Sequence, residues 1–232
     1  MKTLFVISLP RSLSTLVYHV ARLSLSLSEP TWTTDGEIMN IDRYIQNNGK
    51  RDDNGIKYTR LEKEPGLFKR LSDFLGQVTA PQGFIYKDVV HPFVVSHWLK
   101  TGDFNVLKIK RPLPDVAYAM MAKQWFYPAA AADENENIED AVIQGLIMAE
   151  DAIDRVPGET LDYDILVQDE NSVTRALERL YPGENVLPMG FIDDEFRQES
   201  KPVLERRKTD LYKRIEENIY IQKNRYIQYQ GE

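Results

Sequence analysis

Residues 3–9, Thr-Leu-Phe-Val-Ile-Ser-Leu, form a near-continuous apolar run. Such a run predicts a strand buried on both faces. A short polar turn follows from Pro10 to Thr15, and Leu16, Val20 and Leu23 then recur at helical spacing. The hydroxyls at 12, 14 and 15 suit the start of that helix, where side-chain oxygens accept from backbone N–H groups. Residues 28–37 read as irregular or extended, 38–48 as a short helix, and the polar stretch 49–65 as a loop. Pro65 opens a helix through Leu67, Leu71, Phe74 and Leu75 that ends near Gly76. Strands are expected at 84–88 and 104–110, with a helix over 92–100 between them. Residues 115–126 and 138–153 show helical spacing, 161–166 reads as extended, and 171–181 as another helix. The charged stretch 203–229 carries Leu204, Leu211, Ile215, Ile219 and Ile227, and reads as one or two surface helices.

Strands alternating with helices imply an α/β protein of three layers, with a mostly parallel central sheet covered on both faces. No internal repeat interrupts this order, and no linker divides it. One domain spanning 1–232 is the expectation, with 203–229 as its charged helical end.

Composition narrows the class. The chain has 232 residues, 42% of them hydrophobic and 28% charged, which is ordinary for a globular protein. Its 29 basic and 36 acidic residues give a net charge of −7. That balance argues against broad binding to nucleic acid or to an anionic membrane, and leaves room only for a local basic pocket. Cysteine is absent, which removes disulfides, thiolate metal sites and a cysteine nucleophile together. The apolar amino terminus is broken by Pro10-Arg11, and no run of about 18 uncharged apolar residues exists to span a membrane. A mature, cytoplasmic chain is expected.

The first turn is the place to look for chemistry. A buried strand that delivers its chain to a helix amino terminus presents backbone N–H groups as a ready anion site. Arg11 adds a planar cationic fork, and Ser12, Ser14 and Thr15 add hydroxyls. The bland alternative is a capped helix whose Arg11 faces solvent. A nucleoside-triphosphatase loop is excluded, because the turn has neither its glycines nor its lysine. Asp162-Tyr-Asp164 invites a metal-chelating reading in a nucleotide-sugar enzyme, but the expected role is structural. The acidic stretch 133–140 reads as a solvated loop and helix start. Trp125, Phe126 and Tyr127 suit either an acceptor pocket or ordinary packing. His19 and His97 lie on helical patterns and read as structural.

The stretch Leu4-Phe-Val-Ile-Ser-Leu-Pro-Arg-Ser-Leu-Ser-Thr-Leu16 resembles the opening of the sulfotransferases that use 3′-phosphoadenosine-5′-phosphosulfate (PAPS). Three further segments follow in that family's order. They are Thr34-Asp-Gly-Glu-Ile-Met-Asn40, the stretch from Asn105 through Arg111-Pro-Leu-Pro-Asp-Val-Ala to Ala119, and Leu161-Asp-Tyr-Asp-Ile-Leu-Val-Gln-Asp169. The resemblance implies a P-loop-like sulfotransferase fold with PAPS at the carboxyl ends of the strands, and no metal. It places Arg11, Ser12, Leu13, Ser14 and Thr15 around the 5′-phosphosulfate, with Leu13 where the family has glycine. It places Arg111 on the 3′-phosphate, with Ala119 where the family has a partner serine. Arg206-Arg-Lys208 stands where the family has a carboxy-terminal clamp, making Lys208 a candidate ligand, although a charge run also suits a solvated face. The implied base is Glu37, or His91 after a strand bearing Lys87; Arg11 would stabilise charge on the leaving group. Sulfuryl transfer to a hydroxyl or amine of a small-molecule, glycan or lipid acceptor is the implied activity. Alternatives are a sulfotransferase-like binding module without catalysis, and another nucleotide-dependent transferase, kinase-like or a glycosyltransferase.

Overall fold

A computed structural model describes residues 1–30, 36–37, 82–89, 104–126, 137–189 and 205–231. The helices expected at 38–48, 65–75 and 92–100 lie outside the described residues, as do His91, His97 and Tyr127.

Four strands form one all-parallel sheet: β1 (Thr3–Ser8), β2 (Ile85–Asp88), β3 (Phe104–Lys110) and β4 (Glu159–Asp162), in the order β2-β1-β3-β4. Strand β1 is internal, with Leu4 opposite Ile85 on one side and Asn105 on the other. All six of its residues are buried. This is why its sequence shows no polar alternation: both faces are covered, so neither tolerates exposed polar side chains.

The two faces separate by the period of two. Leu4 and Val6 pack with Val17, Tyr18 and Ala21 of α1 (Ser14–Ser24) and with Ala176 and Leu177 of α5 (Ser172–Leu180). Phe5 and Ile7 point the other way. They join Val116 and Met120 of α2 (Leu113–Ala122), Val142 and Leu146 of α3 (Ile138–Asp154), and Ile215 and Ile219 of α6 (Asp210–Gln230). Helices on both sides of a parallel sheet make the expected three-layer α/β/α arrangement. Among the described residues, no helix is long and apolar enough to cross a membrane.

The helix starts show how local chemistry sets the boundaries. Asn137 accepts from the Glu139 backbone N–H at 2.9 Å, and Glu139 and Asp140 occupy the first turn of α3, where the helix dipole favours them. Thr209 caps α6 in the same way. The stretch expected to be extended over 161–166 is a correction. The strand stops at Asp162, whose carboxylate accepts from the N–H groups of Asp164 at 2.8 Å and Ile165 at 3.3 Å, and starts the short helix α4 (Tyr163–Leu166). A capping aspartate ends the strand before the apolar pattern does. Helix α2 likewise runs from Leu113, after Pro112, and stops at Ala122 rather than at 126.

Candidate anion-binding site at the carboxyl ends of the strands

The turn after β1 is strained. Arg11 and Leu13 both have positive φ, 62° and 66°, a conformation that costs a residue with a Cβ about 1–2 kcal/mol. Leu13 therefore takes the left-handed backbone without glycine. The expectation that hydroxyls cap α1 is corrected, because its N-cap is Leu13 and makes no side-chain cap. Ser12 is fully buried and its hydroxyl donates to the Pro10 carbonyl at 3.4 Å, bracing the turn from inside. Ser14 is also buried, whereas Arg11 and Thr15 are exposed. The turn and the amino terminus of α1 border an open cleft of about 870 Å³.

Across the cleft, Lys87 projects from β2 and is only 5% exposed. Its Nζ donates to the Thr15 hydroxyl at 2.9 Å and pairs with Glu37 Oε2 at 3.0 Å. Glu37 forms a parallel bridge with Lys87, and the Lys87 N–H donates to the Gly36 carbonyl at 2.7 Å. Gly36 has φ 66°, and a Cβ there would overlap the ring of Tyr18. Glycine thus lets the backbone pass close over α1 and set Glu37 into the cleft wall. The two side chains form a buried ion pair that fixes both in place.

Arg111 follows β3 and forms the third wall. It is 7% exposed, donates through Nη1 to the Arg11 carbonyl, and stacks on Tyr163 with its guanidinium carbon 4.4 Å from the ring centre. Its buried Nε has no hydrogen-bond partner among the described residues. Burial pushes the Arg111 pKa down; Tyr163 and Asp115 oppose the shift, while Arg11 and Arg206 add to it. Burial likewise raises the Tyr163 pKa, against the pull of Arg111. Arg11 and Arg206 thus both disfavour the charge on Arg111, a repulsion that an anion between them would relieve.

Among the described residues, five cations line the cleft, Arg11, Lys87, Arg111, Lys123 and Arg206, against one carboxylate, Glu37. This occurs in a chain of net charge −7. Such local inversion of charge is the property of an anion site.

Of the residues singled out from sequence, Arg11, Ser12, Leu13, Ser14, Thr15, Glu37, Arg111 and Ala119 line this one cleft. Lys208 does not; it is exposed, and Arg206 from the same basic run lines the cleft instead. Asp162 is occupied as a helix cap and Asp164 lies 3.5 Å from Arg207, so the pair has structural work. Among the described residues, no group of three or more His, Asp or Glu is placed to hold a metal ion. Trp125 lines the cleft, and Arg11 sits over its ring at 5.4 Å. Sequence reasoning missed Tyr118, Lys123 and Tyr163 in the lining, because nothing local marks them.

No protein-family model matches the sequence, and no curated protein matches it. Solved structures do. A sulfotransferase domain from the curacin biosynthetic pathway gives a TM-score of 0.51 at 15% identity, covering 94% of this chain and 97% of that chain. The sulfotransferase STF1 from Mycobacterium tuberculosis H37Rv gives 0.49 at 14% identity, covering 94% and 76%. The sulfotransferase domain of the Synechococcus PCC 7002 olefin synthase gives 0.45 at 15% identity, covering 87% of each. The chain has a sulfotransferase-like α/β fold.

Proposed function

We propose that the protein is a sulfotransferase that takes the sulfuryl group of PAPS to a hydroxyl or amine of a small-molecule, glycan or lipid acceptor. The observation that carries this reading is the charge inversion in the cleft: among the described residues, five cations and one carboxylate line it where β1, β2 and β3 end. Parallel sheets of this type take their ligands at that edge.

The residues present fit a ligand with several anionic groups. Arg11, Thr15 and the uncapped start of α1 suit the 5′ end of the nucleotide. Arg111 suits its 3′-phosphate, because the unpartnered Nε lies on a guanidinium already held by Tyr163 and the Arg11 carbonyl. PAPS, when bound, supplies an activated sulfuryl group on a phosphate leaving group.

The chain's own side chains then have defined tasks. Glu37 accepts the proton of the acceptor hydroxyl or amine. Lys87 pairs with that carboxylate and fixes its direction, and Thr15 fixes the lysine in turn. Arg11 stabilises the charge that builds on the leaving group.

Glu37→Gln tests the assignment. Transfer from PAPS to a panel of alcohols, phenols, amines and sugars should fall by about 10²–10⁴-fold, with nucleotide affinity kept. An unchanged rate would remove Glu37 as the base.

A further inference from the structure

Behind the cleft lies a second set of charged contacts that touches no ligand position. Arg207 donates through Nε to Asp115 Oδ1 at 3.1 Å and through Nη2 to Asp115 Oδ2. The same Nη2 lies 3.5 Å from Asp164 Oδ1. Tyr212 donates its hydroxyl to Asp115 at 2.8 Å. Asp115 is 3% exposed, so this is a buried carboxylate satisfied by a bidentate guanidinium and a phenol. The Arg207 pKa is raised, first by that hydrogen bonding to Asp115.

The position of these partners gives the contact its meaning. Asp115 stands four residues after Arg111 at the start of α2, and Asp164 directly follows Tyr163, on which Arg111 stacks. Arg207 therefore ties the segment leading into α6 to the start of α2 and to α4, and Tyr212 ties α6 itself to the same carboxylate. Its neighbour Arg206 lines the cleft. The turn between them and α6 is tight: the Arg206 carbonyl accepts from the Thr209 N–H at 3.1 Å and from the Thr209 hydroxyl at 2.7 Å. Adjacent arginines thus have opposite duties, one clamped inward and one presented to the cleft.

We propose that Arg207 is a positioning residue: its clamp on Asp115 and Asp164 holds Arg206 at the anion site. The carboxy-terminal helix is then part of the site, and anion binding at Arg206 and Arg111 strengthens its docking on α2. This deepens the function proposed above and rests on it only for the identity of the anion.

A double-mutant cycle read by calorimetry tests it, with inorganic pyrophosphate and 3′,5′-adenosine bisphosphate as separate probes. Arg206→Gln and Arg207→Gln should each weaken both probes by about tenfold, and the double variant should bind no worse than Arg206→Gln alone. Arg207→Lys keeps the charge without the fork, and should recover part of the loss. A merely structural role for Arg207 predicts multiplying effects instead. Multiplying effects overturn the proposal, as does wild-type affinity in Arg207→Gln or in Arg206→Gln. Should Arg207→Gln fail to fold, Asp115→Asn replaces it in the same cycle, since it removes the charge and keeps the shape. A wild-type protein that obeys the cycle with pyrophosphate but prefers the bisphosphate no more than 5′-AMP would sink the PAPS reading and leave the clamp standing. Binding of neither probe overturns both.

Discussion

Two strand-to-helix turns lie side by side at the edge of the sheet, and they hold their arginines by opposite means. The turn after β1 is strained and lightly supported. Arg11 and Leu13 are left-handed, α1 has no side-chain cap, and the exposed Arg11 rests over Trp125. The turn after β3 starts its helix from Pro112 at an ordinary φ of −51° and buries its arginine among partners. Arg111 has a ring beneath it and a carbonyl to donate to. The first turn stores strain where backbone N–H groups and an exposed cation border the cleft. The second supplies a fixed charge. In the proposed site one arginine is exposed and the other buried, and the two are linked because Arg111 donates to the Arg11 carbonyl.

The largest expected effect comes from the buried side. Arg111→Met should weaken 3′,5′-adenosine bisphosphate by about 100-fold and also lower stability by about 1–3 kcal/mol, because the Arg11 carbonyl loses its donor. Calorimetry and urea unfolding read the two losses separately. On the exposed side, Arg11→Ala should cost about 10–100-fold in affinity while changing stability by no more than about 0.5 kcal/mol. Equal destabilisation by the two variants would erase the contrast between the turns.

The smallest effect is the most specific to backbone strain. Leu13→Ala and Leu13→Gly lose the same packing against the α1 side of the core, but only glycine relieves the left-handed backbone. The glycine variant should therefore be the more stable of the two by about 1 kcal/mol, reversing the usual order. Urea midpoints decide it, and a less stable glycine variant would show that Leu13 carries no strain.

The same two turns mark what was legible in the sequence. The first was, because its signals are local: a seven-residue apolar run, a polar turn holding one arginine, then helical spacing. The parallel sheet and its two covered faces followed from the order of such units. The second turn was legible only as far as Arg111. Tyr163 beneath it comes from a four-residue helix, too short for any periodicity to reveal, and 161–166 consequently read as extended. The basic run at 206–208 reads as a solvated face because its meaning depends on Asp115, 92 residues from Arg207. The pairing of Glu37 with Lys87 is likewise a product of topology: the bridge beside β2 brings together groups separated by fifty positions. Within the basic run, Arg206 rather than Lys208 lines the cleft, a choice that no local sequence signal distinguishes.

The central claim is a site for a nucleotide carrying a 3′-phosphate. Calorimetric titration of the wild-type protein with 3′,5′-adenosine bisphosphate, with 5′-AMP as the control and no added metal, tests it most directly. Clear binding of the bisphosphate is expected, with 5′-AMP at least about tenfold weaker, the worth of one charge-assisted phosphate contact. Equal binding of the two nucleotides, or none of either, would contradict it.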